Sequence, residues 1–317
     1  MFAKIFKRVS IQTFIASFFL CLIIIVFSAY CIYSGELTQK RFLKTLWMSL
    51  FFIGTTLLVS LSENKNLNQK FGAFHLLSFP LAILLFNYEG AFDFKKGLIT
   101  LGLLIALNIF TTDLKQKQPL GQVFLLGMLI TTISFYNYYL AFFYAVPLLF
   151  FLEPQHRKRK NGIILLASIF LTMQFLMAAS YLTTGSFIYQ STPTIAKNLI
   201  ASTIQNVSEI PWIITIIFSL LISIFYRPKE YKFAVGKNDA FRTYQFMLVW
   251  LIISILFRSF DLYLGNEKWI LSFIPTAFFL GLALDSLTKD RLKNSAIIMI
   301  ILLGATIKLY QHQLISF

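Results

Sequence analysis

Residues 11–33 read IQTFIASFFLCLIIIVFSAYCIY, and this stretch decides how the rest of the chain is read. It runs for 23 residues without a charge. As a helix it would be about 35 Å long, enough to cross a bilayer core of about 30 Å. Lys4, Lys7 and Arg8 precede it and resemble the basic start of a secretory signal. The run is longer than the roughly 7–15 apolar residues of a signal core. Tyr30 also stands before Cys31, where a lipoprotein signal wants a small residue. An uncleaved first membrane helix is expected.

The pattern recurs. Further apolar spans lie at about 45–61, 72–87, 97–110, 122–135, 138–152, 163–183, 211–226, 244–260, 269–286 and 295–310. Residues 122–152 as one helix would measure about 46 Å, too long for a single crossing. A tight helical hairpin fits better, with its tip near Phe135-Tyr136-Asn137-Tyr138-Tyr139, since tyrosines suit a headgroup layer. The expectation is an all-α, polytopic transmembrane helical bundle of about 11 spans, forming a single integral membrane domain over residues 1–317 without internal repeats.

Composition agrees. Of 317 residues, 57% are hydrophobic and 13% charged, with 36 Phe; a soluble domain carries about twice that charge. The net charge of +15 comes as short clusters between apolar runs, which is how a membrane protein fixes its orientation rather than how one binds nucleic acid. Cys21 and Cys31 are ten residues apart, about 15 Å along one helix, too far for a disulfide. No CxxC pair occurs, and with three histidines no metal site assembles from close spacing. Nothing calls for a cofactor.

Lys and Arg also choose the topology. With the N-terminus inside, the segments 1–10, 62–71, 111–121, 153–161, 227–243 and 287–294 face the cytoplasm and hold 19 of the 28 Lys and Arg residues. That bias of about two to one places the C-terminus in the periplasm. Lys40, Arg41 and Lys44 in the first outer loop run against it. The basic inner loops, including Arg157-Lys158-Arg159-Lys160, would also attract anionic membrane lipids. In the longest outer segment, 184–210, Ile195, Leu199, Thr203, Ile204 and Val207 recur at helical spacing between Pro193 and Pro211. This reads as a short amphipathic helix on the outer surface, or else as a plain loop.

Charges near a span are the first candidates for chemistry. Arg258 and Asp261 are three residues apart and can share a helix face, as a structural ion pair or as an outer-face contact to phosphate. Asp285 lies near the inner end of its span. The loop around Glu89 and Asp93, followed by Lys95 and Lys96, could hold a phosphate with a divalent cation, or simply be solvated. His75, Asn87, Asn108 and Gln174 fall in or beside spans and read as interhelical hydrogen bonders. No Walker loop, dinucleotide fingerprint, GxSxG or HExxH occurs, so chemistry driven by cytosolic ATP on this chain alone is not expected.

Two stretches carry a resemblance: GQVFLLGMLITTISFYNYYLAFFYAVPLLFF from Gly121, followed by a basic turn, and NEKWILSFIPTAFFLGLAL from Asn266. With the length and span order, they resemble a family of uncharacterised flavobacterial-type polytopic inner-membrane proteins of about 300 residues, which implies an inner-membrane location and no established activity. They also look like the C-type membrane glycosyltransferases, which use polyprenyl-phosphate sugars. That resemblance implies acids at Glu36 in the first outer loop and at Glu89 or Asp93 in the second. It implies lipid-phosphate contacts at Lys95, Lys96, Arg258 or Lys268, with Lys268-Trp269 and Pro275 opening a late helix. The first outer loop is short for that family and offers Glu instead of its usual Asp. An acid would activate an acceptor hydroxyl, and cations would stabilise a departing phosphate.

The leading expectation is therefore a non-catalytic accessory or scaffold subunit of a cell-envelope, secretion or motility assembly, with membrane lipids and a membrane protein complex as partners. The shortness of the loops and the lack of a compact acid–base set motivate it. The alternatives are C-type-like glycosyl transfer at the outer face and transport of a small molecule or lipid.

Overall fold

The computed structural model describes residues 5–6, 11–32, 74–85, 94–111, 119–136, 138–152, 159–185, 210–225, 239–259 and 270–311. Among them are ten α-helices and no strand: α1 (Ile11–Ile32), α2 (Phe74–Leu85), α3 (Phe94–Thr111), α4 (Pro119–Tyr136), α5 (Ala145–Leu152), α6 (Arg159–Thr184), α7 (Ile210–Phe225), α8 (Asp239–Ser259), α9 (Phe273–Ser286) and α10 (Asp290–Gln311). Short 3-10 segments, Tyr138–Tyr144 and Ile270–Ser272, lead into α5 and α9. Proline falls within the first turn of four helices, at Pro119, Pro147, Pro211 and Pro275. There its missing N–H would have had no helical partner.

The helices match ten of the apolar runs in the sequence. The eleventh, 45–61, and the amphipathic segment around 195–207 lie outside the described residues. The run at 138–152 is not one α-helix but a 3-10 segment followed by α5. Thr131 Oγ1 and Tyr144 OH are 2.5 Å apart. Thirteen residues along a straight helix would separate them by about 20 Å, so the chain reverses between them, as a hairpin requires.

The chain forms two compact units. In the first, which includes α1, α2, α7, α9 and α10, the short helices α2 (12 residues) and α9 (14 residues) pack on each other. Residues 76–85 and 273–284 are buried on every side, as expected of helices that are apolar all round. Phe79 meets Phe273 edge-on, and Trp212 of α7 stacks on Phe273 at 6.3 Å with rings 11° from parallel. Phe6, Phe74, Leu77, Leu280 and Ile297 join the core between α2, α9 and α10. Gly304 brings α10 against α2, since a Cβ there would lie 2.5 Å from Leu84 Cγ.

Pro80 lies inside α2. A proline cannot donate to the carbonyl four residues earlier, which here is that of Leu76. Ser17 of α1 takes over: its Oγ donates to Leu76 O at 2.6 Å, in a buried bond. One hydroxyl thus closes the gap in α2 and fixes α1 beside it.

The second unit contains α3, α4, α5, α6 and α8. Its main contact is α4 on α6. Gly127 makes that approach possible, because a Cβ there would overlap Ser168 Oγ and come within 2.9 Å of Leu165 Cδ1. Gly102 of α3 fits the same way under Ile133, with its virtual Cβ 2.8 Å from Cδ1. Small residues at helix crossings are the usual means of close packing where no water drives the helices together. An aromatic group fills the other side of the unit: Trp250 and Phe257 of α8 meet Phe143 edge-on, and Phe110 meets Phe246.

The faces are inverted relative to a soluble helix. On α6 the buried stripe is Asn161, Leu165, Ser168 and Thr172, while Phe175 is 73% and Leu182 83% exposed. On α1, Thr13, Ser17, Cys21 and Ile24 are buried and Phe19 and Ile23 are exposed. Among the described residues two helices, Arg159–Thr184 and Asp290–Leu309, are long and apolar enough to cross a membrane.

Two substitutions test this packing. Ser17→Ala strands the Leu76 carbonyl and should lower unfolding stability in detergent by about 1–3 kcal/mol. In a Pro80→Ala background, where the helix supplies its own donor, the loss should shrink; a double-mutant cycle reads the difference. Gly127→Leu should destabilise by about 1–3 kcal/mol through overpacking, and Ser168→Gly should recover part of the loss.

Candidate functional site

The expected outer-face residues are unevenly placed. Glu36, Glu89, Asp93 and Lys268 lie outside the described residues, as does Asp261. Lys95 and Lys96 fall in the first turn of α3, and Arg258 in the last turn of α8. The two helices pack on each other. Phe110, at the end of α3, and Phe246, near the start of α8, have ring centroids 5.7 Å apart. In an antiparallel pair with that register, the first turn of α3 and the last turn of α8 fall at the same end.

A second polar centre surrounds the start of α9. Ser272 stands at the N-cap position with helical torsions (φ −79°, ψ −13°) and makes no side-chain cap bond. Its Oγ instead accepts from Trp212 Nε1 at 3.0 Å. Thr276, one turn on, is fully buried, and its Oγ1 has no hydrogen-bond partner among the described residues. Helix starts favour anions, since the first backbone N–H groups lack helical partners and the dipole is positive there. The sequence flagged this segment through Lys268-Trp269 and Pro275, but not Thr276 or Trp212. Nothing in the sequence alone marks a threonine whose hydroxyl goes unanswered.

The third centre is an ion pair between α9 and α10. Lys293 Nζ lies 3.6 Å from Asp285 Oδ1, donates to Asp285 O at 3.2 Å, and sits 4.4 Å from the centre of the Phe74 ring. Carboxylate, carbonyl and aromatic face together engage the ammonium. Asp285, noted from the sequence as a charge near the inner end of its span, is therefore a structural partner. The residue that sequence reasoning misses is Lys293, a lysine in the first turns of the next helix, eight positions after that acid. Lys289 and Arg291 beside it are exposed.

Among the described residues, no three His, Cys, Asp or Glu side chains gather as a metal set. Comparisons with protein-family models, curated proteins and solved structures found no match.

The Lys293 contact has a measurable consequence. Lys293→Gln should lower the unfolding midpoint, corresponding to about 1 kcal/mol for a partly exposed pair with a ring contact. Lys293→Arg should retain most of the stability, because a guanidinium can keep both the carboxylate and the Phe74 face.

Proposed function

We propose that this chain is a multi-pass protein of the cell inner membrane, of about 11 spans, with its N-terminus in the cytoplasm and its C-terminus in the periplasm, and that it acts as a non-catalytic accessory or scaffold subunit of a membrane assembly. The observation that carries the reading is the inversion of the helix faces. Polar stripes such as Asn161, Ser168 and Thr172 are turned inward, while Phe170, Phe175 and Leu182 are turned outward. Monomeric soluble proteins rarely expose a continuous apolar surface of that kind, and lipid removes the penalty for it. The charged contact of Lys293 with Asp285 and the Phe74 ring joins helices rather than lining an open cavity. The resemblance noted in the sequence to uncharacterised flavobacterial-type inner-membrane proteins would imply the same location and no particular activity.

A second reading has an observation of its own. Thr276 Oγ1 is buried without a partner in the first turn of α9, shortly after Lys268 in the sequence, and Lys95, Lys96 and Arg258 fall at helix ends. Such groups suit the phosphate of a lipid-linked sugar donor. On this reading Glu36, Glu89 or Asp93 would serve as the base for a C-type-like glycosyl transfer.

The experiments separate these readings. The chain should stay with membranes through an alkaline carbonate wash, and its release would end the membrane reading. A single cysteine within 186–209, in a chain lacking Cys21 and Cys31, should react with an impermeant maleimide from the periplasmic side; labelling only after lysis would reverse the topology. Alanine at Glu89, Asp93 and Arg258 should leave the phenotype of a complemented deletion strain unchanged. Loss of function at each of the three would favour the transferase.

A further inference from the structure

An open groove of about 450 Å³ runs along α10, lined among the described residues by Ser295, Ile298, Met299, Leu302, Leu303 and Thr306. Arg291, Ser295, Ile298, Leu302 and Thr306 are all exposed. They follow one another at four, three, four and four residues, which keeps them on one side of the helix. Arg291 therefore stands at the mouth of the groove, one turn before Ser295. Lys289 is exposed beside it, with Asp290 between the two cations. Lys293 is engaged elsewhere, by Asp285 and the Phe74 ring.

The two hydroxyls of the groove behave differently. Thr306 Oγ1, at the far end, donates back to Leu302 O and Leu303 O at 3.0 and 2.9 Å, so it offers no open donor. Ser295 Oγ makes no hydrogen bond to a described residue. Polarity along the strip thus changes once: guanidinium, open hydroxyl, then hydrocarbon to the end. From Ser295 to Thr306 the helix rises about 16 Å. One leaflet contributes about 15 Å of a bilayer core of about 30 Å.

We propose that this strip binds an anionic phospholipid, with the phosphate on Arg291 and Lys289 and one acyl chain along Ile298, Met299, Leu302 and Leu303. A guanidinium donates two parallel N–H bonds to phosphate oxygens. Ser295 Oγ–H, one turn on, is placed to donate to an ester carbonyl, and the chain beyond meets only apolar surface. Two exposed cations against the single Asp290 leave this end net positive, so a headgroup carrying its own cation is disfavoured there. A protein helix laid on the same strip would have to answer a guanidinium and an open hydroxyl separately from the apolar side chains. A phospholipid carries all three partners in the order in which the strip presents them. The proposal rests on the membrane reading above, whose topology puts this lipid in the cytoplasmic leaflet.

The test uses the full-length chain with Cys21 and Cys31 replaced by alanine and Met299→Cys, a groove position 64% exposed, labelled with bimane. The protein is reconstituted in phosphatidylcholine vesicles containing either brominated-chain phosphatidylglycerol or brominated-chain phosphatidylcholine, which quench on contact. Quenching at 299 should show about a fivefold preference for phosphatidylglycerol, the size of effect expected from one exposed cation. Arg291→Gln should remove most of that preference and Arg291→Lys should keep it. Phe175→Cys, on α6 and 73% exposed, should be quenched equally by both lipids. Equal quenching at 299, or a preference that survives Arg291→Gln together with Lys289→Gln, would overturn the proposal. So would quenching at 175 with none at 299 by either lipid, since protein would then cover the groove. Absence of quenching at both positions, with release from carbonate-washed membranes, would defeat the membrane reading itself.

Discussion

A polar atom set among phenylalanine, leucine and isoleucine has to be answered by another atom of the protein, and this requirement explains most of the side-chain hydrogen bonds in both units. The hydroxyls of Thr131, Ser134, Ser219 and Ser254 each donate to the carbonyl four residues earlier. Those of Thr132 and Thr306, which are exposed, do the same. In water an exposed hydroxyl gains little from such a bond, and back-bonding slightly weakens a helix. Where solvent is absent, the alternative is an unmet donor, which is worse by several kcal/mol. The Ser17 bond to Leu76 O belongs to the same set, with the demand created by Pro80 and not by the hydroxyl.

The same requirement explains what could be read in advance. A run of apolar residues needs no particular partner to form a helix, because every backbone group is satisfied within the segment. The described helices therefore coincide with runs visible in the sequence, and the reversal after Tyr136 follows from length alone. What sequence does not carry is the identity of partners across helices. Gly127 and Ser168 are 41 positions apart and Ser17 and Leu76 are 59. Neither pair has a local signature, although each fixes how two helices meet. Asp285 was conspicuous as a charge in an apolar context, yet its role depends on Lys293 folding back across a three-residue link. The candidate acids Glu36, Glu89 and Asp93 stand out only as charges in loops between apolar runs. Their use depends on how the loops meet, which spacing does not determine.

Burial also separates two kinds of helix. α2 and α9 are apolar almost throughout their described lengths. They are buried along nearly all of those lengths. α6 and α10 have the reverse character: both are long enough to cross, with only 17% of their most apolar windows buried. In the first unit some buried polar groups are met by one another without water. Trp212 with Ser272 is an example, since an indole N–H and a hydroxyl satisfy one another beneath a stacked ring.

Against this background the exceptions carry information. Many hydroxyls fold back on their own helix, and where a buried polar atom is left open, its place decides what can answer it. Thr276 is enclosed at the start of a helix, so anything that answers it must come from within the first unit or enter it. Trp250 Nε1 is likewise buried without a partner among the described residues, but the rings of Phe143 and Phe246 beside it offer an incoming ligand no polar group. The two open atoms therefore differ in what could meet them: a helix start at Thr276, and aromatic edges at Trp250.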